Sequence, residues 1–153
     1  NTDNSKDNHF FKLLMHVILI VLCCILFIAL IIFGMIYQRK MRLKRQEQHL
    51  KGEPKEALLY ALSRMDALCE AENLEKISTA ADAAALQESF PTITQEKLMW
   101  LQDLLQELTF SNHAYGTELR DETAQLYRDM ASDATARQSR LKRMWYRYGR
   151  CFC

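Results

Sequence analysis

Four histidines, five cysteines and 19 carboxylates are the side chains of this 153-residue chain that could hold a metal, move a proton or attack a carbonyl. Their spacing decides whether they can act together. His9, His16, His49 and His113 are scattered, and no HExxH places two imidazoles on one helix face. His113, beside Asn112 and Tyr115, reads as a turn residue rather than a base. Cys23 and Cys24 are adjacent, Cys69 stands apart, and Cys151 and Cys153 close the chain, so there is no CxxC pair and no Cys/His spacing for zinc. The carboxylates recur as they do on a solvated helix face. Gly34, Gly52, Gly116 and Gly149 are isolated, which excludes a Walker loop and a dinucleotide fingerprint. No G-x-S-x-G elbow occurs. The expectation is a chain that is not an enzyme, with no catalytic residue, no metal and no cofactor.

Two basic stretches carry the remaining chemistry. Arg39, Lys40, Arg42, Lys44 and Arg45 put five positive charges within eight residues. Near the carboxyl end, Arg140, Lys142, Arg143 and Arg147 are interleaved with Trp145, Tyr146 and Tyr148. Basic side chains beside Trp and Tyr suit anionic headgroups at a membrane surface. They equally suit an acidic protein partner, including this chain's own acidic middle. Nucleic acid would want the same charges, but a tethered location disfavours it. The closing Cys151-Phe152-Cys153 is similar to the Cys-x-Cys ending of doubly prenylated small GTPases, though the rest of a GTPase is missing.

The element that must position these stretches is the run from Leu13 to Tyr37. Between Lys12 and Arg39 it holds no Asp, Glu, Lys or Arg. Its 25 residues would make a helix of about 37 Å, enough to cross a hydrocarbon core of about 30 Å with some tilt. A lone span must be helical, because lipid offers no hydrogen-bond partners to the backbone. A cleavable signal would be shorter and end in small residues, whereas this run ends in the basic collar. The collar outweighs Lys6 and Lys12, which Asp3 and Asp7 offset, so the amino terminus is expected outside and the rest in the cytoplasm. The Phe10-Phe11 pair and Tyr37 would anchor the two ends. The chain opens on Asn1 rather than Met, which fits either a removed leader or a preceding domain.

Charge segregates along the remainder of the chain. Residues 46–136 hold 17 acidic and 7 basic side chains, while 137–150 hold six basic and no acidic ones. Hydrophobic spacing predicts helices over 54–70, 73–89 and 95–108 and a long last helix from about 117. Pro54 suits a first turn, Asn73 and Thr94 suit caps, and Phe90-Pro91 ends the second helix. Leu98, Leu101, Leu105 and Leu108 form one stripe, with Trp100 at its edge. Phe110 and Tyr115 are expected to tuck into the core. The last stripe runs through Leu119, Leu126 or Tyr127, Met130, Ala134, Leu141, Met144 and Trp145, and its distal half is expected to leave the domain.

From Pro54 onward the order of features resembles the cytoplasmic helical tails of Bat-type proteins, which are associated with MoxR-type AAA+ ATPases and von Willebrand A-domain proteins. Glu56-Ala57-Leu58-Leu59-Tyr60-Ala61-Leu62, Thr94-Gln95-Glu96, Leu104 through Phe110, Tyr115-Gly116 and Glu122 through Arg128 carry the likeness. The resemblance implies a bacterial inner-membrane subunit that scaffolds a larger assembly.

The expected architecture is therefore all-α. Residues 1–12 form an extracytoplasmic segment, 13–37 a transmembrane helix and 38–53 a basic collar and connector. A cytoplasmic bundle of three or four helices occupies 54–134, with a basic aromatic tail over 135–153. The expected function is that of a scaffold or adaptor whose partners are the lipid bilayer and other subunits of a membrane complex. Alternatives are a sensor module whose tail lies on anionic lipid, and an accessory subunit of a respiratory or secretion complex.

Overall fold

A computed structural model describes residues 3–79, 82–111, 114–150 and 152, with side chains from Phe11 onward. Asn112, His113, Ala81, Cys151 and Cys153, together with the side chains of Lys6, His9 and Phe10, lie outside the described residues. Every described element is helical. Two compact units occur, Asn1–Gln38 and Arg39–Cys153.

Helix α1 is Asp3–Leu50 and contains the whole apolar run. It is the one helix among the described residues long and apolar enough to cross a membrane, and its most apolar window has no buried residue. The run's large hydrophobic side chains are 45–69 % exposed, against 0–5 % for the leucines of the core. Fully covering one such side chain is worth about 1.5–3 kcal/mol, so leaving the run in water would cost tens of kcal/mol. His16, the polar interruption, turns its ring Nδ1 to the Lys12 carbonyl at 2.7 Å. That bond satisfies one polar atom within the helix.

The second unit is built from α2 (Pro54–Ala71), α3 (Ala83–Ser89), α4 (Gln95–Phe110), α5 (Thr117–Ala136) and α6 (Arg140–Met144), followed by a π-helical turn at Trp145–Arg150. Helix α2 packs along α5 and also meets α4, against which α3 rests. Leu58, Met65 and Leu68 of α2, Leu101 of α4, and Tyr127 and Met130 of α5 are nearly or wholly inaccessible to solvent.

Several expectations are corrected. Helix α1 does not stop at the collar. It continues to Leu50, which is 2 % exposed in the core, and ends where Gly52 N–H meets the His49 carbonyl at 3.2 Å. The second predicted helix starts at Ala83, not Asn73. Asn73 instead closes α2 with a left-handed φ of 58°, giving a C-terminal motif in which Leu74 N–H reaches the Cys69 carbonyl at 2.8 Å. Thr94 does cap α4, accepting from Lys97 N–H at 3.3 Å. Leu104 is more deeply buried than Leu105. Tyr115 is buried as expected, but Phe110 is 83 % exposed. The last helix breaks at Arg137–Ser139, and the chain beyond it does not leave the unit, because Tyr146 and Phe152 are 0 % and 2 % exposed.

Candidate functional site

The basic tail is divided between groups that hold it to its own unit and groups that face outward. Glu72, at the C-terminal end of α2, is the hub of the first set. Its carboxylate accepts from Gln138 Nε2 at 2.9 and 3.1 Å, faces Lys142 Nζ at 3.4 Å, and accepts from the Tyr146 hydroxyl. The Tyr146 hydroxyl also meets the Ala71 carbonyl at 3.3 Å. Burial, and then the adjoining Glu72 carboxylate, hold the Tyr146 phenol well above its ordinary pKa. Arg143 caps the preceding helix: its guanidinium donates to the carbonyls of Thr135, Ala136 and Gln138 at 3.1–3.4 Å. These are carbonyls at and just beyond the end of α5, where the helical ladder runs out; the Thr135 carbonyl also accepts from Gln138 N–H at 3.5 Å.

The collar meets the same tail. The Arg39 guanidinium lies over the Tyr148 ring, 5.2 Å from its centroid, and Arg42 donates to the Gly149 carbonyl at 3.4 Å. Lys40, Lys44 and Arg45 are exposed. Gly149 has a packing reason, since a Cβ there would stand 3.2 Å from the Trp145 indole. Arg150 covers that indole at 5.2 Å.

Of the seven tail residues singled out in the sequence, Lys142, Arg143, Tyr146 and Tyr148 are thus engaged within the unit. Arg140, Trp145 and Arg147 are exposed. Leu141 and Met144 join Trp145 at the surface, at 82 %, 57 % and 47 % exposure.

Two further features were not singled out by sequence reasoning. Gln46, near the end of α1, is 9 % exposed and donates to the Tyr127 hydroxyl at 2.7 Å, which donates to the Phe152 carbonyl at 3.2 Å. This buried relay ties α1, α5 and the tail together, and it raises the cost of losing any member. Burial is the main cause of the raised Tyr127 pKa. The sole sequence hint was that Gln46 and Leu50 are i and i+4 on a continuing helix.

The second is an open groove of about 440 Å³ between α4 and α5. Trp100 and Leu126 form its apolar surface, and Glu96, Glu122 and Asp129 rim it, with Lys97 as the basic member. The Lys97 ammonium is turned to the Thr92 carbonyl at 3.3 Å, and Gln125 donates to Asp129 at 2.9 Å. The groove is acidic with an aromatic wall. No one of these residues announces it, because it requires two helices to be brought side by side.

Among the described residues no group of His, Cys, Asp and Glu is arranged to hold a metal ion. The Cys69 thiol is buried, and burial pushes its pKa up to about 12, so it is held as an inert thiol. No family model matches the chain, nor does any curated protein or solved structure.

Proposed function

We propose that this protein is a single-span membrane scaffold whose helical unit docks a partner protein at the membrane face and performs no reaction itself. The unit is read as a small bundle of helices on the cytoplasmic side. The amino terminus is outside, as the collar's positive charge favours, and a bacterial inner membrane fits the family resemblance. A von Willebrand A-domain protein or an AAA+ ATPase is the class of partner that the same resemblance offers.

The observation that carries the docking reading is the groove between α4 and α5. Three carboxylates around an indole suit a basic segment that also carries an apolar side chain, with Trp100 offering a face to either Arg or Lys. The same chain carries the exposed apolar helix, so whatever docks in the groove would be tethered to the bilayer. Neither feature calls for chemistry.

The test is co-purification of the full chain in mild detergent. Wild type should bring down a stoichiometric partner, and the double charge reversal Glu122→Lys/Asp129→Lys should release it without lowering the unfolding midpoint. A lone, monodisperse wild-type chain would defeat the proposal.

A further inference from the structure

We infer that the surface formed by Leu141, Met144 and Trp145 is a second membrane contact, one that lies in the headgroup layer of an anionic bilayer. The inference rests on the membrane reading of α1 and is independent of the groove.

Positions 141, 144 and 145 stand at i, i+3 and i+4, so a helical turn gathers them on one face. All three are exposed, although the neighbouring Tyr146 is fully buried. The segment is therefore fixed from beneath by Tyr146 and Phe152, while Leu141 and Met144 are turned to solvent and the half-exposed Trp145 stands beside them, edge-on to the Tyr146 ring and under Arg150. Elsewhere in the second unit the exposed large hydrophobics occur singly, at Met41, Leu59, Met99 and Phe110. Scattered singles need no explanation, but a cluster does.

Two arguments name lipid as the occupant. Charge is the first: Arg140 and Arg147 are exposed at either side of the trio, and no acidic residue occurs over 137–150. Apolar and Trp side chains flanked by Arg are the composition of an element that settles at headgroup depth on anionic lipid. Position is the second. Tyr148 is stacked under Arg39, and Gly149 is bonded to Arg42. Arg39 follows Tyr37 by two residues, a rise of about 3 Å along a helix. A span over Leu13 to Tyr37 therefore tethers the tail turn to the lipid it would contact. Tethering makes the contact intramolecular, which favours insertion of even a small apolar face.

The experiment uses the full chain in lipid nanodiscs of zwitterionic or anionic composition, with or without acyl chains brominated near the headgroup. Subtracting the emission of Trp145→Phe from that of wild type isolates the Trp145 indole from Trp100. The expected result is that Trp145 is blue-shifted and quenched by bromolipid in anionic discs, more than in zwitterionic ones. Arg140→Gln/Arg147→Gln should weaken the contact by about fivefold per charge removed. Leu141→Ser/Met144→Ser, at two exposed positions, should return the indole to water. An incorporated chain whose Trp145 stays wet and unquenched overturns the inference while leaving the span intact. Equal quenching in both kinds of disc, or a dry indole that appears only with a co-purified protein, also overturns it. A chain that never enters discs would refute the span itself, a separable outcome.

Discussion

Glu72 shows how one carboxylate can decide where a terminal segment goes. It gathers Gln138, Lys142 and Tyr146, and without it the buried Tyr146 hydroxyl keeps only the Ala71 carbonyl. Glu72→Ala should therefore destabilise the unit by about 1–3 kcal/mol. Combined with Tyr146→Phe, it should show a coupling of about 1 kcal/mol in a double-mutant cycle read by denaturant unfolding. Additive losses would contradict the contact. The pH dependence follows from three buried groups. The Cys69 pKa rises from 9.0 to about 12, and those of Tyr127 and Tyr146 rise above the ordinary 10.0, each chiefly through burial. The unfolded chain gives up these protons first, so it binds fewer protons at alkaline pH and stability falls as pH rises. That contribution is whole below about pH 9 and is lost progressively through pH 12. The unfolding midpoint should decline over that window, less steeply in Cys69→Ala, and a flat profile would contradict the burial. In the sequence the tail's charge and aromatics were legible, but their division was not. Whether Trp145 or Tyr146 faces inward depends on a π-helical turn and on an acceptor 74 positions away.

At the scale of elements, the signals that worked were local and those that failed were overruled at a distance. Pro54 opens α2 and Thr94 caps α4, each through its own neighbours. Thr94→Ala should cost about 1 kcal/mol, measured by the same unfolding. Asn73 is a residue type that suits either end of a helix, and it serves as the left-handed terminus of α2. Asn73→Val should cost about 1–2 kcal/mol, whereas Asn73→Gly should cost far less. Equal effects would show that the left-handed φ is unimportant. The stretch after it reads as helical by its alanines and leucines. Residues 74–79 instead run as a strap, because Ile77 fills the core while its N–H meets Asp66 at 2.9 Å and its carbonyl meets Gln102 at 3.1 Å. Asp82 then starts α3 by accepting from Ala84 and Ala85 N–H. Asp66 and Gln102, the distant partners of Ile77, leave no periodic trace.

Across the whole molecule, the legible part is the contrast in solvent preference along the chain. One apolar run, one basic collar, an acidic middle and a basic tail can be read residue by residue, and the structure has an exposed apolar helix and a separately packed helical unit. The limits of that unit were less legible. Leu50 and Phe152 lie beyond the 54–134 stretch that periodicity marks, yet both belong to the core. The acidic groove was invisible for the same reason, since it belongs to a pair of helices. Its removal by charge reversal should affect partner recovery and leave membrane residence untouched.

That residence is the claim on which the scaffold and lipid-contact readings both stand, and flotation of cell membranes after an alkaline carbonate wash tests it most directly. The full chain should float with the lipid and come free only with detergent. Recovery of the intact chain in the aqueous layer, with no detergent added, would contradict the account.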